Sequence, residues 1–300
     1  MRGCRPRGAA PLAALLLLLA RAGGAAGQGS GFVPDTGRVR ATAPHWVGEF
    51  TILSANVLLS GASAGVVQLL RGGSFRDGFM RALPGGAAVY LGKRLAAERF
   101  DGAGLLGRQV AAVGTSVVRN AAAGAPMLDE LILPVGLGRL YLSPRAPGRL
   151  RFRVDPVTLG WTVYGALSDD VSLDGGASLS AGAPVFKTHN QVIASGSAHA
   201  GGIVKAGVIF YGDVPAYGPV ARARALAHER EHVLQEDFLV GAWIRPAQDW
   251  ALPRLPGGAA LSRFVDLDFS TYILQGMSEL VREHDVRPWE LEAEYLARRR

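Results

Sequence analysis

Residues 227–238 read AHEREHVLQEDF, and within them His228, Glu229 and His232 spell H-E-x-x-H. The surrounding run is helical in character. Pro219 follows Gly218 at a favourable first-turn position, and VARARALAHEREHVLQEDFLVGAW continues without a breaker until Gly241. On a helix, residues four apart lie on one face, so His228 and His232 can point two imidazole nitrogens at one ion. Neutral imidazole suits zinc, Zn2+. Glu229 falls on the adjacent edge of that face, where a carboxylate can take the proton of a metal-bound water instead of binding the metal. The bland alternative is a solvated, charged helix face. Arg230 and Glu231 fill the motif interior, and Gln235, Glu236 and Asp237 read as surface residues.

A catalytic zinc takes a third protein ligand and keeps an open fourth position. The downstream candidates are Asp237, Asp266, Asp268, Glu279, Glu283, His284, Glu290, Glu292 and Glu294. Within ELEAEYLA, Glu290 and Glu294 fall four apart on a helix opened by Pro288, with small Ala293 beside them where a facing helix can approach. Glu283 and His284 are the rivals, offering a carboxylate and an imidazole together at the end of the preceding helical pattern. If Glu290 is the ligand, its carboxylate must lie beside both motif imidazoles even without an ion. His284, Tyr295 and Tyr272 can stabilise an oxyanion, although structural roles suit each of them better. His45, His189 and His199 are isolated and are not read as ligands.

HEREH followed some 60 residues later by ELEAEYLA resembles the glutamate-ligand zinc peptidases, the gluzincins, and especially members related to the CAAX prenyl protease. There H-E-x-x-H is followed by E-x-x-x-D. The resemblance implies a zincin-like site with Glu290 as third metal ligand, Glu229 as general base, and Glu294 in the place of the supporting Asp. Glu for Asp is a departure by one methylene. The resemblance covers 13 of 300 residues.

Upstream of the motif the pattern is different. From about residue 137, GRLYLS, GRLRFRVD, TLGWTVYGALS, GASLSAG, NQVIASGS and GGIVKAGVIFYGD read as successive strands of an antiparallel sheet with short turns. GVIFYGDV, just before the motif helix, is the strand assigned to pair with an extended peptide by edge addition. Further upstream, residues 50–70 carry no charge, and two more Gly- and Ala-rich segments follow to residue 122. Their small residues suit close helix packing more than membrane spans, although the region leaves a route to membrane association. Gly61 and Gly65 form a small-xxx-small pair, discounted because the whole chain holds 40 glycines.

The resulting fold class is α+β. Residues 1–26 read as a signal peptide and 27–48 as a polar lead-in. Residues 49–136 form a Gly- and Ala-rich helical region, 137–216 an antiparallel β region, and 217–300 the helices carrying the metal site. The leader joins a basic start, MRGCRPRG, to a short apolar run and a small-residue exit, which predicts export to the periplasm or cell envelope. Cys4 is the only cysteine, so the exported chain has no thiol for disulfides, nucleophilic catalysis or metal binding. The net charge is +7, and removing Arg2, Arg5, Arg7 and Arg21 leaves 7 − 4 = +3. The remaining basic residues are scattered without interleaved aromatics, which excludes nucleic acid as a partner.

These features predict an exported zinc metallohydrolase, a peptidase acting on a peptide or protein substrate. The competing readings are a non-enzymatic envelope protein with a structural metal or none, and a membrane-embedded peptidase using residues 50–122 as spans.

Overall fold

The computed structural model describes residues 48–98, 100–145, 150–188, 202–212, 219–281 and 287–297. The leader, Cys4, His45, His189, His199, NQVIASGS, Glu283 and His284 lie outside them, and so does the Glu279 side chain.

Three long helices come first: α1 (Glu49–Leu70), α2 (Phe75–Ala96) and α3 (Ala103–Ala122). Glycine disfavours a helix by about 1 kcal/mol relative to alanine, so its abundance here calls for a packing reason. A Cβ at Gly92 would lie 2.4 Å from the Ala111 nitrogen, and one at Gly107 would lie 2.4 Å from the Ala96 nitrogen. The backbones of α2 and α3 therefore touch, an approach open only to residues without a side chain. Gly61 and Gly65 of α1 likewise receive the rings of Phe79 and Phe75. Discounting the glycines as composition alone is corrected at these positions.

The central region is mixed α and β, which revises the sequence expectation. One antiparallel sheet joins β1 (Leu131–Val135), β2 (Gly138–Leu142) and β3 (Arg151–Val154), and β1 begins inside the span assigned to helices. Two of the expected strands are helices, α4 (Pro156–Leu167) and α5 (Gly175–Ala181). Each is opened by an aspartate cap: Asp155 accepts from Val157 N at 3.0 Å, and Asp174 from Ala177 N at 3.0 Å. Capping, with Pro156 in the first turn, outweighs the β-branched residues of VTLGWTVYGAL.

A second sheet has the order β4-β5-β7-β6, from β4 (Val171–Leu173), β5 (Val185–Thr188), β6 (Gly202–Lys205) and β7 (Val208–Gly212). It is not wholly antiparallel. The β6–β7 hairpin turns at Ala206 and Gly207, both at positive φ, and inserts β7 parallel to β5. Strand β7 is therefore buried between β5 and β6, which removes GVIFYGDV as an edge; among the described strands the edge on this side is β6.

The motif helix α6 (Pro219–Leu239) packs on this sheet through Val233 against Val185 and Ile209. Gly241 does not end it. The chain widens into a π turn over Val240–Ile244 and continues as α7 (Arg245–Ala251), with Pro246, which has no N–H to give, in the first turn. The short α8 (Gly258–Leu261) precedes α9 (Ser270–Leu280) and α10 (Pro288–Ala297).

Buried ion pairs fix α6 against α3 and the first sheet. Arg108 of α3 holds Asp237 through two bonds, of 2.6 and 3.2 Å. Arg139 of β2 spans Asp155, Asp237 and Asp268. Next to them Glu236 accepts from Gly207 N at 2.7 Å and contacts the Thr271 hydroxyl. Burial first, then the charge of Asp268, push the Glu236 carboxyl from 4.5 up to about 8, against the hydrogen bonds of Thr271 and Gly207.

The folded chain thus holds a proton on Glu236 that the unfolded chain releases. This group's contribution to stability is complete below about pH 4.5 and is lost as pH rises through about 8. Glu236→Gln keeps the neutral hydrogen-bonding shape. Urea denaturation at pH 5 and pH 8.5 should show the variant gaining on the order of a few kcal/mol over the wild type across that interval. Parallel pH profiles for the two proteins would show that Glu236 stays ionised.

Candidate metal centre

Helix α6 places His228 and His232 one turn apart, with their rings 4.7 Å between centroids and nearly perpendicular. Their Nε2 atoms are 3.0 Å apart. Helix α10 packs across α6 on fully buried Ala293 and brings Glu290 Oε2 to 3.2 Å from each Nε2. The three side chains offer one ligand atom each, all within 4.8 Å of one another, and among the described residues they form the group that could hold a metal ion. Ligands 2.0–2.1 Å from a tetrahedral ion stand about 3.4 Å apart. A triangle with sides of 3.0–3.2 Å is close to that size.

The motif is not a solvated face. Glu229 is 2% exposed and Glu231 1%, and Arg230 and His228 are also buried. Glu229 lies against the start of β6. A Cβ on Gly202 would fall 2.6 Å from Glu229 Cγ, so only glycine leaves room for the carboxylate at that edge.

Gln235 is a supporting residue, not the surface residue expected from the sequence. Its Nε2 donates to Trp289 O and to Glu292 Oε2, both at 2.9 Å. Those two acceptors fix the amide orientation and turn Oε1 toward His232 Nδ1, 2.8 Å away. Since a carbonyl oxygen only accepts, Nδ1 carries the hydrogen and Nε2 keeps its lone pair for a cation. Glu292 is anchored by Asn56 of α1 and Lys93 of α2, each at 2.7 Å. Burial alone would raise the Glu292 carboxyl, but the Lys93 charge and the bonds from Lys93, Asn56 and Gln235 hold it below the usual range. The first two helices are thus tied to the His232 imidazole through Glu292 and Gln235.

Gln235→Met keeps the volume and removes the acceptor. Chelator-competition titration should show zinc affinity falling by about 10–100-fold with helicity unchanged. Equal affinity in both proteins would deny Gln235 its supporting role.

Glu294, expected as the supporting acid, sits with Oε2 3.8 Å from His228 Nδ1 while its other oxygen meets Arg224. That distance exceeds a hydrogen bond. The described rivals for third ligand are engaged elsewhere. Asp237 is held by Arg108 and Arg139, Asp268 by Arg139 and Ser270, and Glu292 by Lys93. Asp266 accepts from the Tyr141 hydroxyl at 2.7 Å and from Arg245 at 3.0 Å. Tyr295 donates to Glu49, and Tyr272 is half exposed on α9.

Burial pulls the His232 imidazole down, but the hydrogen bond and charge of Glu290, then the charge of Glu229 and the bond of Gln235, raise it to about 10. This negative potential favours a cation at Nε2, where a proton and a metal ion compete. The chain matches no protein-family model, no curated protein and no solved structure.

Proposed function

We propose that this chain is an exported zinc-dependent metallohydrolase, a peptidase of gluzincin type working at the periplasm or cell envelope. The observation that carries the reading is the near-equilateral triangle of His228 Nε2, His232 Nε2 and Glu290 Oε2, with the Glu229 carboxylate one residue along the same helix. Two imidazoles and one carboxylate form a three-ligand set that suits zinc and leaves a fourth position for water or substrate. Zinc held by His228, His232 and Glu290 would supply a Lewis acid and lower the pKa of water at the site.

The remaining steps belong to the chain's own residues. Glu229 takes the proton of the attacking water and returns it to the leaving amine. Gln235 orients the His232 imidazole, while Glu294 is held by Arg224 and stands 3.8 Å from His228 Nδ1. The outer edge of β6, which starts at Gly202 against Glu229, offers backbone groups to an extended polypeptide.

Metal removal tests this. Purified protein should cleave denatured polypeptides, lose that activity on dialysis against a chelator, and regain it with one equivalent of zinc. Zinc binding without any hydrolysis would support the non-enzymatic reading, and hydrolysis indifferent to chelation would sink the metal mechanism.

A further inference from the structure

Helix α1 has inverted polarity. Its inward face carries the polar and small residues Asn56, Ser60, Ser63 and Gly61, all buried. Asn56 donates to Glu292 Oε1 at 2.7 Å, and Ser63 donates to Ala242 O at 3.3 Å. Its outward arc carries Leu58, Leu59, Leu69 and Leu70, each more than half exposed, and no charge lies between Glu49 and Arg71. A helix facing water turns its polar stripe outward, and a contiguous exposed apolar surface marks an interaction site. Helix α2 extends the surface with exposed Met80 and Leu91, and carries no charge over residues 82–92.

We propose that the outward faces of α1 and α2 dock on an anionic lipid bilayer and lie along its surface without crossing it. Charge points to lipid as the occupant. At the Leu70 end the apolar arc gives way to Arg71 and then Arg76, both exposed, with Arg81 exposed one turn further on α2 and Asp77 the acid among them. Leucines entering the acyl boundary beside arginines at the headgroups form the pattern of an interfacial helix. Length points to lying over crossing. Helix α1 has 22 residues, about 33 Å, and is the one described helix long and apolar enough to span. Its packed neighbour α2 has an uncharged stretch of only about 16 Å, half of a hydrocarbon core of about 30 Å. Crossing would bury Arg81 or Arg94 in lipid.

Docking of this face brings the bilayer to one helix thickness, about 10 Å, from Glu292, which Asn56 touches on the opposite side of α1 and which anchors Gln235 beside His232. The inference stands apart from the peptidase reading, since it uses neither metal nor catalysis.

The test exploits the single cysteine. In a Cys4→Ser background of the full chain, Leu59→Cys, Leu69→Cys and Leu167→Cys variants each receive a polarity-sensitive fluorophore. Leu167 is the control: it is exposed at the end of α4, which packs on the sheet face away from α6. Circular dichroism checks that each variant is folded. Vesicles of phosphatidylcholine with a minor share of phosphatidylglycerol, carrying nitroxide-labelled lipid, should blue-shift the probes at 59 and 69. Quenching there should exceed that at 167 by several-fold. Arg71→Glu with Arg76→Glu should reduce the quenching on vesicles with phosphatidylglycerol. Three outcomes overturn the proposal: probes at 59 and 69 unaffected by vesicles, equal quenching at all three positions, or concentration-dependent shielding without vesicles, which would assign the face to a second copy of the chain.

Discussion

His232→Ala protein is expected to leave purification without stoichiometric zinc, while the wild type binds one equivalent. Nε2 of His232 is one corner of the ligand triangle, 3.0 Å from His228 Nε2 and 3.2 Å from Glu290 Oε2. Removing it leaves one imidazole and one carboxylate, too few for a stable zinc site. The loss should exceed the roughly 10–100-fold cost of deleting a supporting partner, and so exceed the effect of Gln235→Met. The side chain is largely buried, and its Nδ1 partner Gln235 keeps two other acceptors. Elemental analysis beside circular dichroism separates metal loss from unfolding. Zinc retained in a folded His232→Ala protein would remove His232 from the ligand set.

Glu229→Gln should have the opposite profile: full zinc content and almost no hydrolysis. Its carboxylate is not among the three converging ligand atoms, and it rests against the backbone of Gly202 at the start of β6. The amide preserves that shape but cannot take a proton. A drop in kcat of about 100- to 10,000-fold or more is expected with KM little changed. Equal zinc loss in Glu229→Gln and His228→Ala would show that Glu229 binds the ion and that the general base lies elsewhere.

The parts of this protein that sequence reading reached are those set by local chemistry. Helix α6 was legible from Pro219, from its Ala, Leu and Arg content and from the absence of breakers around HEREH. Pro288 and the spacing of Glu290 and Glu294 located α10. The convergence of Glu290 on both imidazoles was expected through a family resemblance, and the structure brings those three side chains together.

Other features depend on contacts between distant segments. Gln235 looks like any polar residue on a charged helix until α10, more than 50 residues later, supplies the two acceptors that aim its amide. Glu292 reads only as one of several candidate ligands, and Lys93 and Asn56 give no signal, because a lysine buried in an Ala- and Gly-rich helix carries no mark of its partner. The helical identity of residues 156–167 has a local signal in the sequence. The Asp155-Pro156 pair is a helix start signal, and it competes with alternating β-branched residues that favour a strand. Parallel β5–β7 pairing was not legible, since insertion of β7 between β5 and β6 is a tertiary choice. The uncharged run of α1 was visible, but its inverted polarity emerged only when the inward face could be told from the outward one.

The most direct measurement is X-ray absorption at the zinc edge on wild-type protein loaded with one equivalent of zinc. The account predicts a shell of two imidazole nitrogens and one carboxylate oxygen at about 2.0–2.2 Å, completed by a solvent oxygen. Glu290→Ala should lose the carboxylate contribution. A closed shell of four protein ligands, or a spectrum unchanged by Glu290→Ala, would contradict it.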